Sequence, residues 1–229
     1  MKTRTICIIL SCLFLIGGIA LSLSYRSNLK NVDLSDENLA HFKVSMSMSE
    51  KGEEQQNPDA DKIVNDAEAI FYVRATGKKT MTRDNVIEEV VIEDVIKSYG
   101  DLKTGDSVYI FEAASFTITT NRELDRIYFN TVSNMMQKDE RYIVFLKFFK
   151  RPDGYKYSDT EKRMFLLTDK NFAVISPDRE PDYVVIRSDD GDKIYYEDVR
   201  DVRCLVTYES MFEAYKTIRK ALLEKINYR

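Results

Sequence analysis

The run from Ile6 to Leu23 contains no charged residue, and Lys2 and Arg4 stand just upstream of it. That segment addresses the chain to a membrane. A helix crossing hydrocarbon needs about 20 apolar residues, while the apolar part of a cleaved signal peptide runs about 7–15. The run lies nearer the full span, so residues 1–24 are expected to form an uncleaved single-pass anchor that meets the membrane through residues 6–23. Ala20-Leu21-Ser22 and Ser22-Leu23-Ser24 are small-x-small sites of the kind a signal peptidase cuts, which makes secretion the alternative. Lys2 and Arg4 keep the N-terminus cytoplasmic, and Arg26 and Lys30 weaken that bias without reversing it. Everything beyond the anchor is then extracytoplasmic: a juxtamembrane spacer over residues 25–56 and a folded body over residues 57–229.

Removing the anchor leaves about 200 residues, enough for one sizeable core. A charged fraction of 31% and an aromatic fraction of 11% describe an ordinary globular domain. The net charge of -4 argues against a nucleic-acid partner, because affinity for phosphate backbones rests on concentrated Lys and Arg. Cys204 is the single cysteine beyond the apolar run, so no intrachain disulfide supports the body.

Hydropathy patterning predicts a mainly β domain with some helix. Phe42, Val44, Met46 and Met48 alternate with polar residues, the period of a half-buried strand. Asn57-Pro58 reads as an N-cap and first helical residue, predicting a short helix from Pro58 to Ala67. Strands are expected over Ala69–Thr76, Val86–Ile96, Val108–Ala113 and Phe116–Thr119, with a turn beginning at Gly77-Lys78-Lys79. In Asn121–Lys138, Leu124, Ile127 and Tyr128 recur at spacings of three or four, predicting an amphipathic helix or an ordered excursion. Tyr142–Phe149 is apolar almost throughout and should be buried on both faces.

Two hairpins are expected next. One joins Phe165–Thr168 to Phe172–Ile175, and the other joins Tyr183–Arg187 to Ile194–Val199 around Asp189-Asp190-Gly191-Asp192. Ser210 and Glu213 form a capping box. The stripe of Met211, Tyr215, Ile218, Leu222 and Ile226 behind it, widened by Phe212 and Leu223, predicts a terminal helix docked on the body.

Residues for chemistry are scarce. His41 is the only histidine and lies in the spacer, which removes the usual zinc spacings and serine triads; no metal site or cofactor is indicated. Cys204 alternates with Val202 and Val206, as a buried strand residue does, although Arg200 and Arg203 are near enough in sequence to activate a thiol. Asp189, Asp190 and Asp192 lack calcium-loop spacing and suit a hairpin tip. Glu88, Glu89, Glu93 and Asp94 read as the polar side of a strand pair. The binding candidates are aromatic: Tyr128, Phe129, Tyr155, Tyr157, Tyr195 and Tyr196, side chains that stack on sugars or anchor protein interfaces.

Three motifs carry a resemblance. They are Ala67-Glu68-Ala69-Ile70-Phe71 behind a short helix, Val91 to Lys97 followed by Gly105-Asp106-Ser107-Val108-Tyr109-Ile110, and Asp139-Glu140-Arg141-Tyr142-Ile143-Val144-Phe145-Leu146. Their order from Ala60 to Ser176 resembles the small exported β-barrels of OB-like or netrin-like type. The resemblance implies a barrel. It carries no inhibitory function, since the N-terminal cysteine and disulfides of inhibitory netrin-like domains are absent, and one fold hosts many activities.

The sequence therefore predicts an α+β fold: a membrane helix, an OB-like barrel, a C-terminal hairpin and an amphipathic helix. The expected function is non-enzymatic binding of a protein or envelope glycan outside the membrane. The alternatives are an anchored enzyme using Cys204 or a carboxylate pair, and an accessory subunit of a membrane complex.

Overall fold

The computed structural model describes residues 11, 13–22, 34–46, 59–82, 85–118, 124–187, 190 and 193–228. Residues 13–22 are helical and expose Phe14, Leu15 and Ile16. Among the described residues no helix is long and apolar enough to cross a membrane. The predicted span Ile6–Leu23 lies partly outside them.

Five strands close into a barrel. β2 (Ala69–Thr82), β3 (Asn85–Lys97) and β4 (Ser107–Ile118) form an antiparallel meander, and β6 (Arg141–Phe148) pairs antiparallel with β2. The short β7 (Met164–Leu167) completes the ring, antiparallel to β6 and parallel to β4. Alternate residues point inward, and Phe71, Val73, Val90, Ile92, Val108, Ile110, Val144, Leu146 and Phe165 fill the interior. β6 is buried on both faces, as its apolar run predicts, because its outer face is covered too.

That cover belongs to a second core. The helix α4 (Glu209–Lys225) lays Met211, Phe212, Tyr215, Ile218 and Leu222 against Ile70, Ile143 and Phe145 of the barrel and against the short helix α2 (Ala60–Asp66). The predicted stripe is the one buried, but the capping box is not made: Tyr208 occupies the N-cap and its side chain does not cap the helix, and Glu213 pairs with Lys216 at 2.8 Å. α2 is capped by Asp59, whose carboxylate accepts from the amides of Asp61 (2.9 Å) and Lys62 (3.3 Å). Asn57 and Pro58, the predicted start, lie outside the described residues.

A third core forms where β4 runs past the barrel. Its second half pairs with β5 (Leu124–Phe129), and β5 pairs in parallel with β1 (Lys43–Met46). β4 is therefore one strand where two were expected. Leu39 of the one-turn helix α1 (Asp36–Leu39), Phe42, Val44, Phe116, Ile127 and Phe129 pack there. In β1 Ser45 is buried rather than exposed, because its hydroxyl accepts a hydrogen bond from Arg126 at 3.1 Å. Met48 lies outside the described residues.

Four further expectations are corrected. Gly77 does not turn the chain: β2 runs on to Thr82 through a register shift between Ala75 and Lys79, and Gly77 uses its positive φ of 76° inside that bulge. Leu124–Phe129 is strand rather than helix, because buried Ile127 and Phe129 alternate with half-buried Arg126 and Tyr128. β7 and β8 (Val174–Ile175) both pair with β6 instead of forming a hairpin with each other. The connection between them folds on Asp169, whose carboxylate accepts from the amides of Asn171 (2.8 Å) and Phe172 (3.1 Å).

The C-terminal hairpin is also replaced. β9 (Tyr183–Val185) pairs in parallel with β10 (Cys204–Val206), and Tyr196–Val199 is a short helix, α3, that buries both its ends. The Asp198 carboxylate accepts from the Tyr195 amide at 3.0 Å, so local acidic capping wins over strand pairing. Of the expected hairpin tip, Asp189, Gly191 and Asp192 lie outside the described residues.

Candidate functional site

The six aromatic candidates separate by burial. Phe129 and Tyr196 lie in the third core, stacked with ring centroids 6.4 Å apart, and have no surface to offer a ligand. Tyr128 is half-buried on β5 opposite Ser45 and Ser115. Tyr195 is exposed beside β1, bridging to Lys43. Tyr155 and Tyr157 are brought together outside the core, edge to face at 5.4 Å.

These two tyrosines belong to the loop between β6 and β7, and the loop is tied down. Glu161 accepts hydrogen bonds from the Tyr155 hydroxyl (2.7 Å), the Ser158 hydroxyl (2.8 Å) and the Ser158 amide (3.0 Å), and it pairs with Arg151 at 3.3 Å. The Tyr155 bond, then those from Ser158, pull its carboxyl down to about 2. That clasp holds from the ordinary carboxylate range upward and is lost as pH falls through about 2. The Tyr157 hydroxyl accepts from the Arg151 amide at 2.5 Å, and its ring meets Phe148 at 5.4 Å.

Arg151 links the loop to the barrel wall. Its guanidinium lies 4.6 Å from the ring centre of Phe149 and 5.4 Å from that of Tyr155, and Phe149 meets Phe111 at 4.9 Å. Phe111 on β4 is in register with Leu166 on β7, and both point outward. Leu166, Phe111, Phe149, Arg151 and Tyr155 thus form a continuous partly exposed strip across the barrel wall and its loop. Phe148-Phe149 is an aromatic pair in the sequence as well; sequence reasoning missed Phe111 and Arg151. A usable signal was present in β4, where Tyr109 and Phe111 alternate with Val108 and Ile110, so that both faces are apolar.

The remaining titratable residues are buried or scattered. Cys204 is fully buried, and burial, reinforced by Asp182, pushes its thiol up to about 12. Arg203 turns away to the Tyr142 hydroxyl (3.1 Å) and Glu140 (3.0 Å), leaving no thiolate-forming pair. His41 is exposed next to β1. Glu89 and Glu93 lie on the polar side of β3 as expected, paired with Lys78 and with Arg74 and Arg141. Glu88 does not: it is completely buried, because Val86, Glu88 and Val90 share the inward face. Its carboxylate lies 3.1 Å from the ammonium of Lys79 and accepts from the Gly77 amide at 3.2 Å. Among the described residues no group of three or more His, Cys, Asp or Glu is placed to hold a metal ion.

Compared with models of known protein families and with curated proteins, the sequence matches none. The functional reading therefore rests on the strip and the chemistry around it.

Proposed function

We propose that this chain is a membrane-anchored, extracytoplasmic OB-like barrel that binds a protein or envelope component without catalysing a reaction. The observation that carries the reading is the clasped strip of Phe111, Phe149, Arg151 and Tyr155. Rings held before a partner arrives lose little further freedom on binding, which lowers the side-chain part of the cost of association. Tyrosine and arginine are also the side chains that dominate binding interfaces.

The OB-like assignment is supported by the ring order β2–β3–β4–β7–β6 with its fifth strand parallel to its third. In such barrels the second and third strands, with the loop joining the fourth and fifth, form the ligand face. Here that loop carries Tyr155 and Arg151, and the third strand carries Phe111. The extracytoplasmic setting is supported by Lys2 and Arg4 ahead of the uncharged run. The buried thiol of Cys204 and the enclosed Glu88 weigh against the enzyme reading, since neither meets solvent.

Tyr155→Ala tests the proposal. Tyr155 is 45% exposed, so the substitution is expected to change stability by less than about 1 kcal/mol, yet to weaken partner capture from intact cells by about 2 kcal/mol, roughly thirtyfold. Quantitative crosslinking at matched expression measures it. Unchanged capture would remove the strip from the binding account.

A further inference from the structure

Three charged side chains converge inside the protein where the barrel core meets the third core. Lys79 on β2 and Glu88 on β3 are directly opposed across the sheet. Glu88 is in turn opposite Ile110 on β4, which places Glu112 diagonally next to it on the same inward face, within reach of a long side chain. Glu112 is almost wholly buried and accepts from the Met136 amide at 3.0 Å. The apolar neighbours change along each strand at this point: Val90 and Ile110 belong to the barrel core, Val86 and Ala114 to the third core.

One ammonium cannot neutralise two carboxylates, and an uncompensated charge is costly in such a place. We propose that Glu88 and Glu112 keep one proton between them beside Lys79, making the joint between the two cores a proton-binding lock that weakens as the proton leaves. Of the other nearby ionisable groups, the Tyr142 hydroxyl on β6 lies beyond Glu112 and is itself held by Arg203, with Glu140 on its far side; Glu89 points the other way, to Lys78. Burial raises both carboxyls, Glu88 to about 8 with Glu112 reinforcing the shift against Lys79.

The sign follows from the extra proton of the folded chain. The unfolded chain releases it near 4.5 and the folded chain near 8, so stability falls as pH rises between those values and levels off above them. Urea unfolding of the full-length chain from pH 5 to pH 8 is the test. The folded-to-unfolded ratio is expected to fall by up to tenfold per pH unit. Glu88→Gln and Glu112→Gln each leave one carboxylate for Lys79 and should flatten that slope. Carbon NMR of the wild-type glutamate carboxyls reads the same proton without a variant, and one carboxyl should titrate above about pH 6. A slope that survives in both variants, or no carboxyl titrating above that value, overturns the proposal.

Discussion

Phe165→Ala is expected to destabilise the chain by about 3–5 kcal/mol, the range for emptying a buried phenylalanine site. Phe165 is fully buried and meets three rings edge to face: Phe71 at 6.2 Å, Tyr99 at 5.4 Å and Phe148 at 6.0 Å. It sits in the shortest strand of the barrel, in register with Ile110 on one side and Phe148 on the other. β7 has four residues and few backbone bonds of its own, so this side chain is what holds the closing strand in place. Folded domains are stable by only about 5–15 kcal/mol, so the loss should shift the urea midpoint by a large fraction of its value. Leu166→Ala, one residue on and facing outward, should cost less than about 1 kcal/mol. Equal losses from the two would mean that β7 does not close the barrel.

Asn134→Ala is expected to cost about 2–4 kcal/mol through hydrogen bonds rather than volume. The Asn134 side chain donates to the carbonyls of Val199 (2.9 Å) and Val202 (2.8 Å), and its oxygen accepts from the Met135 amide at 2.8 Å. It is 7% exposed, so water cannot readily replace these bonds. Around it, the Asn134 amide donates to the Arg203 carbonyl and the Leu205 amide to the Val132 carbonyl, stitching the irregular segment after β5 to β10. Alanine should therefore speed hydrogen exchange at the Asn134 and Leu205 amides before the barrel strands respond. Asn134→Asp sets a carboxylate oxygen against the Val199 and Val202 carbonyls in a buried site, so it should cost at least as much as alanine. Exchange that accelerates uniformly across the chain would place Asn134 in the global core instead.

What was legible in the sequence followed from local periodicity. The doubly buried β6 and the stripe of α4 need only their own residues to be read, because each buries its face whatever its partner. Pairing was not legible in the same way. The segments of β7 and β8 look like a hairpin from the short polar link between them, yet both lie along β6, and β9 finds its partner about twenty residues downstream rather than next in line. Gly77 shows a different limit: positive φ serves a bulge as well as a turn, and residue type does not separate them. Glu88 was readable in principle, since it sits in phase with Val86 and Val90. Four acidic residues close together read as a solvated edge, which masks the inward phase of one of them. For the candidate site, Tyr155 and Tyr157 are readable as an aromatic pair and Arg151 lies in the same loop, whereas Phe111 joins them through a closure between β4 and β7 that no short window contains.

The most direct test of the account is a photoreactive amino acid placed at Tyr155 in the full-length chain and activated in intact cells, with the same probe at the exposed Lys220 on α4 as control. The account predicts one saturable crosslinked product from position 155, to an extracytoplasmic protein or to envelope glycan, and none of that product from position 220. Identical products from both positions, or a product at 155 formed with a cytoplasmic protein, would contradict it.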